Sequence, residues 1–209
     1  MDPEPGKEGQ IAGLTKGRLE ALTDGIFAFA MTLLVTTLDF PKPGSAALPP
    51  LTPHEVIVAY FPGFFTYFLA FIILAGFWVG HHALFHHIHS IDRTLLWTNI
   101  LSLFFVALVP FSTDVVGDYP DEPLAAVIFE VNLLAIGVCL FLIWNYATKE
   151  RRFVERDLDE STVRVHARRT LIVPFVSAIG IALALLGSTW TTAVYLGIPL
   201  LSMLIRRRG

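Results

Sequence analysis

The sequence predicts an all-α integral membrane protein with six transmembrane helices, and three observations predict it. Only 16% of the 209 residues are charged, against 54% hydrophobic, where soluble domains carry about 25% charged residues. The apolar residues gather in six blocks, at 18–40, 54–80, 94–116, 123–147, 167–187 and 189–205, each close to the ~20 residues a helix needs to cross a bilayer. Cations then fall on alternate sides of those blocks. Lys7, Lys16 and Arg18 precede the first. Arg93 lies between the second and third, and Lys149, Arg151, Arg152, Arg156, Arg164, Arg168 and Arg169 lie between the fourth and fifth. Arg206, Arg207 and Arg208 follow the sixth, so 14 of the 15 basic residues share one side and Lys42 alone takes the other. By the positive-inside rule that side is cytoplasmic.

The chain divides accordingly into a polar tail (1–17), one membrane domain (18–205) and a basic end (206–209), with both termini expected in the cytoplasm of a multi-pass protein of the cell membrane. The tail is polar and contains Gly and Pro, unlike a signal peptide's basic region followed by an apolar core. The net charge of −3 belongs to loops and tails and gives no reason to expect nucleic acid as a partner. Cys139, the one cysteine, cannot form an intramolecular disulfide and reads as a small buried apolar residue.

In the first segment, Arg18, Leu22, Gly25, Phe29, Thr32, Thr36 and Asp39 fall within an arc of about 100° on an α-helical projection. Leu33 lies at the edge of this arc. Glycine and threonine suit close packing between helices, with threonine able to return its hydroxyl to its own backbone. They equally suit a water-contacting path in which hydroxyls partly replace the hydration of an ion. The stripe alone leaves both readings open. Asp24 points elsewhere. An ionisable residue inside a membrane helix is a functional-site hypothesis by default, and the alternative is an interfacial cap at the helix start, assisted by Thr23.

A loop rich in Pro, Gly and Ala (Pro41 to Pro53) leads to the second segment, which ends in a histidine-rich stretch read as a turn, His81 to Arg93. His82 and His86 are four apart, a spacing a transition metal could use, but no further Cys or carboxylate follows at useful spacing. His81 and His82 are expected to hydrogen-bond polar groups of the first segment, Asp24 or Thr23 among them, with His86, His87 and His89 solvated. The third and fourth segments flank an acidic loop (Asp114 to Glu122), and the fifth and sixth form a hairpin at Gly187-Ser188. Pro62, Pro110, Pro174 and Pro199 sit in or near apolar runs, where they kink or end helices. No serine or cysteine nucleophile arrangement is present, so enzyme activity is not expected, nor is a cofactor or bound metal.

The motifs of the first half resemble a known family. Arg18-x-x-x-Leu22-Thr23-Asp24-Gly25 is similar to the first-helix signature of the transmembrane protein 175 family of potassium channels, usually Arg-x-x-x-Phe-Ser-Asp. The resemblance extends through Trp78-x-x-His81-His82-x-Leu84-Phe85, Asp92-Arg-x-Leu-Leu-Trp-x-Asn99 and Val106-Ala-Leu-Val-Pro110-Phe. It implies a homotetramer of six-helix subunits whose first helices line a central pore, passing potassium ions without a carbonyl filter; no Thr-Val-Gly-Tyr-Gly occurs here. Carried over by position, Phe29 is the narrowest hydrophobic layer, Thr32 a pore-facing hydroxyl, Leu33 the next aliphatic layer and Thr36 the outermost. Arg18, Thr23, Asp24, His81 and His82 match a buried polar network that braces the pore helix. Phe29 stands where the family usually has Ile or Leu, and Thr36 where it has an aliphatic residue.

The expectation is a potassium-preferring cation channel in which Phe29 forms a constriction that excludes water. Thr32 and Thr36 would supply hydroxyls, and Asp39, by helix geometry and local charge, would concentrate cations at the outer mouth. The rival from another class is a proton-coupled cation or metal transporter using Asp24 and the histidines. A membrane metalloenzyme built on His81, His82, His86 and His87 is the remaining alternative.

Overall fold

The structure, a computed structural model, describes residues 15–38, 52–187 and 191–198. Helix α1 (Lys16–Leu33) starts at Thr15, whose hydroxyl accepts the Arg18 amide, and tightens into a 3-10 segment over Leu34–Thr37. Helix α2 (Pro53–His87) opens with a capping box between Thr52 and Glu55, which satisfies two amides the helix itself leaves unpaired. At 35 residues it is about 52 Å long, well beyond the ~30 Å of bilayer hydrocarbon. Helices α3 (Arg93–Ala107) and α4 (Val109–Asp118) follow, then α5 (Pro123–Thr148), α6 (Glu160–Thr170) and α7 (Ile172–Leu185). A 3-10 segment over Thr192–Gly197 ends the described chain.

Among the described residues, five stretches are long and apolar enough to cross a membrane: Lys16–Thr37, Phe61–His87, Arg93–Asp118, Pro123–Arg151 and Glu160–Leu185. They coincide with the first five segments read from sequence. The sixth, 189–205, lies mostly outside the described residues, as do Asp39, Lys42 and the terminal arginines.

One local feature departs from the sequence reading, and two helix breaks fall beside prolines expected to kink or end helices. The histidine-rich stretch is not a turn but the last part of α2, because the chain meets neither Gly nor Pro until after Arg93. The helix stops at Ile88, which turns extended and makes an isolated antiparallel bridge with Val154. The third segment breaks at Leu108 between α3 and α4, and the fifth at Leu171 between α6 and α7. Each break precedes a proline by two or three residues: Pro110 and Pro174 have no amide hydrogen for the carbonyls of Val106 and Thr170.

Helix α5 is the hub, packing against α7, α3, α4 and α6, while α1 lies on α3 and α2. The α5–α7 contact is very close. A Cβ on Gly137 would come within 2.5 Å of the Pro174 ring. On the other side of α5, the Asn132 Nδ2 donates to Ser112 Oγ of α4 at 3.2 Å. The α2–α3 connection is fastened to the end of α5 and the α5–α6 connection. The His89 amide donates to the Phe153 carbonyl at 2.9 Å, and the Tyr146 hydroxyl donates to Asp92 Oδ2 at 2.6 Å. The other Asp92 oxygen caps α3 through the Leu95 amide. Arg152 covers the Tyr146 and Phe153 rings at 5.8 and 5.2 Å. The chain turns there through Glu150 and Arg151, both with positive φ.

Candidate functional site: the two faces of the first helix

Helix α1 separates its side chains into two sets. Leu19, Thr23, Phe27, Ala30 and Leu34 recur every three or four residues and are buried against α2 and α3. The stripe read from sequence lies on the other side. Arg18, Leu22, Gly25, Phe29, Thr32 and Thr36 are all exposed in the single subunit, Phe29 to 65%. Packing among the described residues therefore does not account for the stripe. Leu33 is half-buried, consistent with its place at the edge of the arc.

Both pore-candidate threonines bond backward. Thr32 Oγ1 donates to the Phe29 carbonyl at 2.8 Å and Thr36 Oγ1 to the Leu33 carbonyl at 2.7 Å. Each hydroxyl has only one hydrogen. With that hydrogen committed to the backbone, the oxygen's remaining lone pairs are left for an outside donor or cation. The switch to 3-10 winding also changes the register. At about three residues per turn, Thr36 stands over Leu33 rather than over Thr32, so the stripe curves around the helix at its far end.

The buried face holds a directional chain of hydrogen bonds. The Thr23 hydroxyl donates to the Leu19 carbonyl at 2.9 Å and can then only accept. It accepts from Asn99 Nδ2 at 3.1 Å, which turns Asn99 Oδ1 toward His81 Nε2 at 2.7 Å. His81 Nε2 must carry the hydrogen for this contact. The imidazole is itself stacked on Phe85, with ring centres 4.1 Å apart. Thr23, Asn99 and His81 are all buried, so α1, α3 and α2 are joined by one satisfied polar path.

Of the five residues assigned to a buried bracing network, the single subunit buries Thr23 and His81. Arg18, Asp24 and His82 lie on its surface. Asp24 Oδ1 accepts the Trp78 Nε1 hydrogen at 2.9 Å, and the Trp78 ring faces His82 at 6.1 Å. The bracing is thus two contacts between α1 and α2, one buried through Asn99 and one exposed through Trp78. Asn99 and Trp78 both stand in the motifs quoted above, but sequence reasoning gave neither a role. A buried asparagine one membrane helix away is the partner a buried threonine and histidine need, and that chemistry was the available signal.

The other histidines divide differently from expectation. His86 and His89 are exposed. His87 is instead partly buried, edge-on to His166 of α6 at 5.1 Å and to Trp144 at 6.1 Å. Trp144 Nε1 donates to the Val163 carbonyl at 3.0 Å, tying α6 to α5. Among the described residues, no three His, Cys, Asp or Glu side chains come together as a metal site.

Residues 18–110, which carry α1 to the start of α4, match the family model described as endosomal/lysosomal potassium channel TMEM175. A potassium channel of Streptomyces collinus is 27% identical over 86% of this chain and 87% of its own length. One from Chamaesiphon minutus is 27% identical over 83% and 86%. The rat endosomal/lysosomal proton channel TMEM175 is also 27% identical, over 93% of this chain but only 42% of that longer protein. The fold agrees with a crystal structure titled as a lysosomal potassium-selective channel TMEM175 homolog from Chamaesiphon minutus. The TM-score is 0.74 at 24% identity, over 92% of this chain and 97% of the other. These relatives carry the names of ion channels, and the shared fold is helical. The outward face of α1 falls inside the matched region. Over residues 18–110 the chain is similar to the TMEM175 family.

Proposed function

We propose that the chain is one subunit of a homotetrameric, potassium-preferring cation channel of the cytoplasmic membrane. It would have six transmembrane helices within 18–205 and both termini in the cytoplasm. The observation that carries this reading is the orientation of α1: Leu22, Gly25, Phe29, Thr32 and Thr36 of its stripe are exposed among the described residues. Four such faces around an axis form a path. Its ligands are side-chain hydroxyls rather than the backbone carbonyls of an ordinary potassium filter.

The chemistry of that path follows from the side chains. Four Phe29 rings form an apolar collar where a narrow column of water is unstable, so conduction requires the collar to wet. Past it, four Thr32 oxygens and then four Thr36 oxygens offer lone pairs, because their hydrogens are held by the helix. Partial replacement of hydration by weak hydroxyl ligands favours the cation that gives up water more readily, potassium over sodium. Asp39, outside the described residues, is assigned to the outer mouth as a carboxylate that raises local cation concentration. The Thr23–Asn99–His81 path and the Trp78–Asp24 contact hold α1 at a fixed angle against α2 and α3. The metal-transporter reading gains no support from Asp24, whose described hydrogen-bond partner is an indole.

Potassium and sodium efflux from liposomes reconstituted with the protein tests this directly. Phe29→Ala is expected to raise flux, and Thr32→Val to reduce the preference for potassium. If neither substitution changes flux or selectivity, α1 does not line the path. A mass in mild detergent corresponding to a monomer would leave the stripe without an axis and sink the tetramer.

A further inference from the structure

A carboxyl group lies in the middle of the apolar run of α5, far from the face of α1. Glu130 is fully buried where α5 packs against α7 and the Thr192–Gly197 segment. Its Oε2 accepts the Tyr195 hydroxyl. That hydroxyl also meets Ser177 Oγ of α7 at 2.7 Å. Since Tyr195 gives its single hydrogen to Glu130, Ser177 is the donor in the second bond. Among the described residues, Glu130 Oε1 has no hydrogen-bond partner.

What could complete that oxygen is limited by space and charge. Gly180 of α7 lies so close to the carboxyl group that even a methyl group there would overlap it. No ion pair to Glu130 exists among the described residues. Helix α7 carries no titratable side chain, and the Thr192–Gly197 segment carries only Tyr195. On α5 itself the other titratable groups are Cys139 and Tyr146. Neighbouring α4 contributes two acids, Asp114 and Asp118. Arg93 of α3 sits at that helix's first residue. The histidines of α2 and α6 approach α5 at Trp144, fourteen residues along, or about 21 Å. A buried carboxylate oxygen needs a donor or a positive charge, and a bare one is costly. The ligand small enough for this seat is a hydrogen ion.

We propose that Glu130 is a proton-binding site, remote from the stripe of α1, whose occupancy controls how tightly α7 and the Tyr195 segment close on α5. Binding forms an O–H bond on Glu130 with a proton drawn from water, and release breaks that bond and leaves the carboxylate. The carboxylate then needs two sets of donors where the protein supplies one, so water must reach Oε1. Gly180 stands against the carboxyl group, so separating α7 from α5 there lets water reach it. Proton release and opening of this seam are thereby coupled.

Infrared difference spectra of the full chain in lipid nanodiscs, taken between acidic and alkaline buffer, read the bound proton directly. The wild type is expected to show a carboxylic-acid carbonyl band that is lost as pH rises. Glu130→Gln should lack this band, and Tyr195→Phe should shift it to higher frequency by removing the hydrogen bond to Oε2. Superimposable wild-type and Glu130→Gln spectra at every pH would overturn the proposal. Should Glu130→Gln fail to fold, Tyr195→Phe decides: a shifted band upholds the assignment, and no band or an unshifted one rejects it. The readout needs no ion flux, so it is independent of whether α1 lines a pore.

Discussion

Helices α1 and α5 both carry polar side chains through the membrane, and they deploy them in opposite directions. On α5, Glu130 and Asn132 point into the subunit and bond to its own elements, to Tyr195 on one side and Ser112 on the other. On α1, Thr23 behaves in the same way, but Thr32 and Thr36 are exposed among the described residues. Lipid tails are as apolar as leucine, so no hydrophobic gain drives helices together within a bilayer; close fit and hydrogen bonds do. Polar groups turned inward are therefore fasteners. Polar groups turned outward make a surface that the single chain leaves incomplete.

The contrast makes graded predictions for subunit stability, measured by thermal unfolding in detergent. The largest loss should come from Gly137→Val, where the added isopropyl group meets the rigid Pro174 ring. Overpacking of this kind costs about 3 kcal/mol. Asn99→Leu should follow, since it strips partners from Thr23 and His81 together, with an expected cost of about 1–2 kcal/mol. Trp78→Phe removes the exposed contact to Asp24 and should cost about 0.5–1 kcal/mol. Thr32→Val should change stability by less than about 0.5 kcal/mol while still altering ion selectivity. A large stability loss from Thr32→Val in isolated monomers would break the comparison, because it would make the outward stripe a fastener too.

The first five spans were legible in the sequence because the bilayer imposes a length and a composition that few alternatives satisfy. The stripe was legible as well, because helical periodicity fixes which residues share a side. Its direction was not: Phe29 and Phe27 are two residues apart and chemically identical, yet one is exposed and the other buried. Only the packing partners distinguish them. The breaks at Leu108 and Leu171 were foreshadowed by Pro110 and Pro174, but a proline signals a bend without fixing its position. Asn99 and Glu130 were missed for one reason. Each stood out as a polar group in an apolar run, Glu130 by the same rule applied to Asp24, but partners separated by 65 or 76 residues leave no trace in local pattern.

The bridge between Ile88 and Val154 sets an order on how the subunit is made. Those residues are 66 positions apart, and a ribosome adds roughly 5–20 residues each second. The connection after α2 must therefore wait several seconds for the strand that clasps it, with α3, α4 and α5 entering the bilayer in the meantime. During that interval the first three helices are held only by their own contacts, the Thr23–Asn99–His81 path foremost. A nascent chain arrested before residue 154 should remain open to protease at 88–92, and one released beyond it should not.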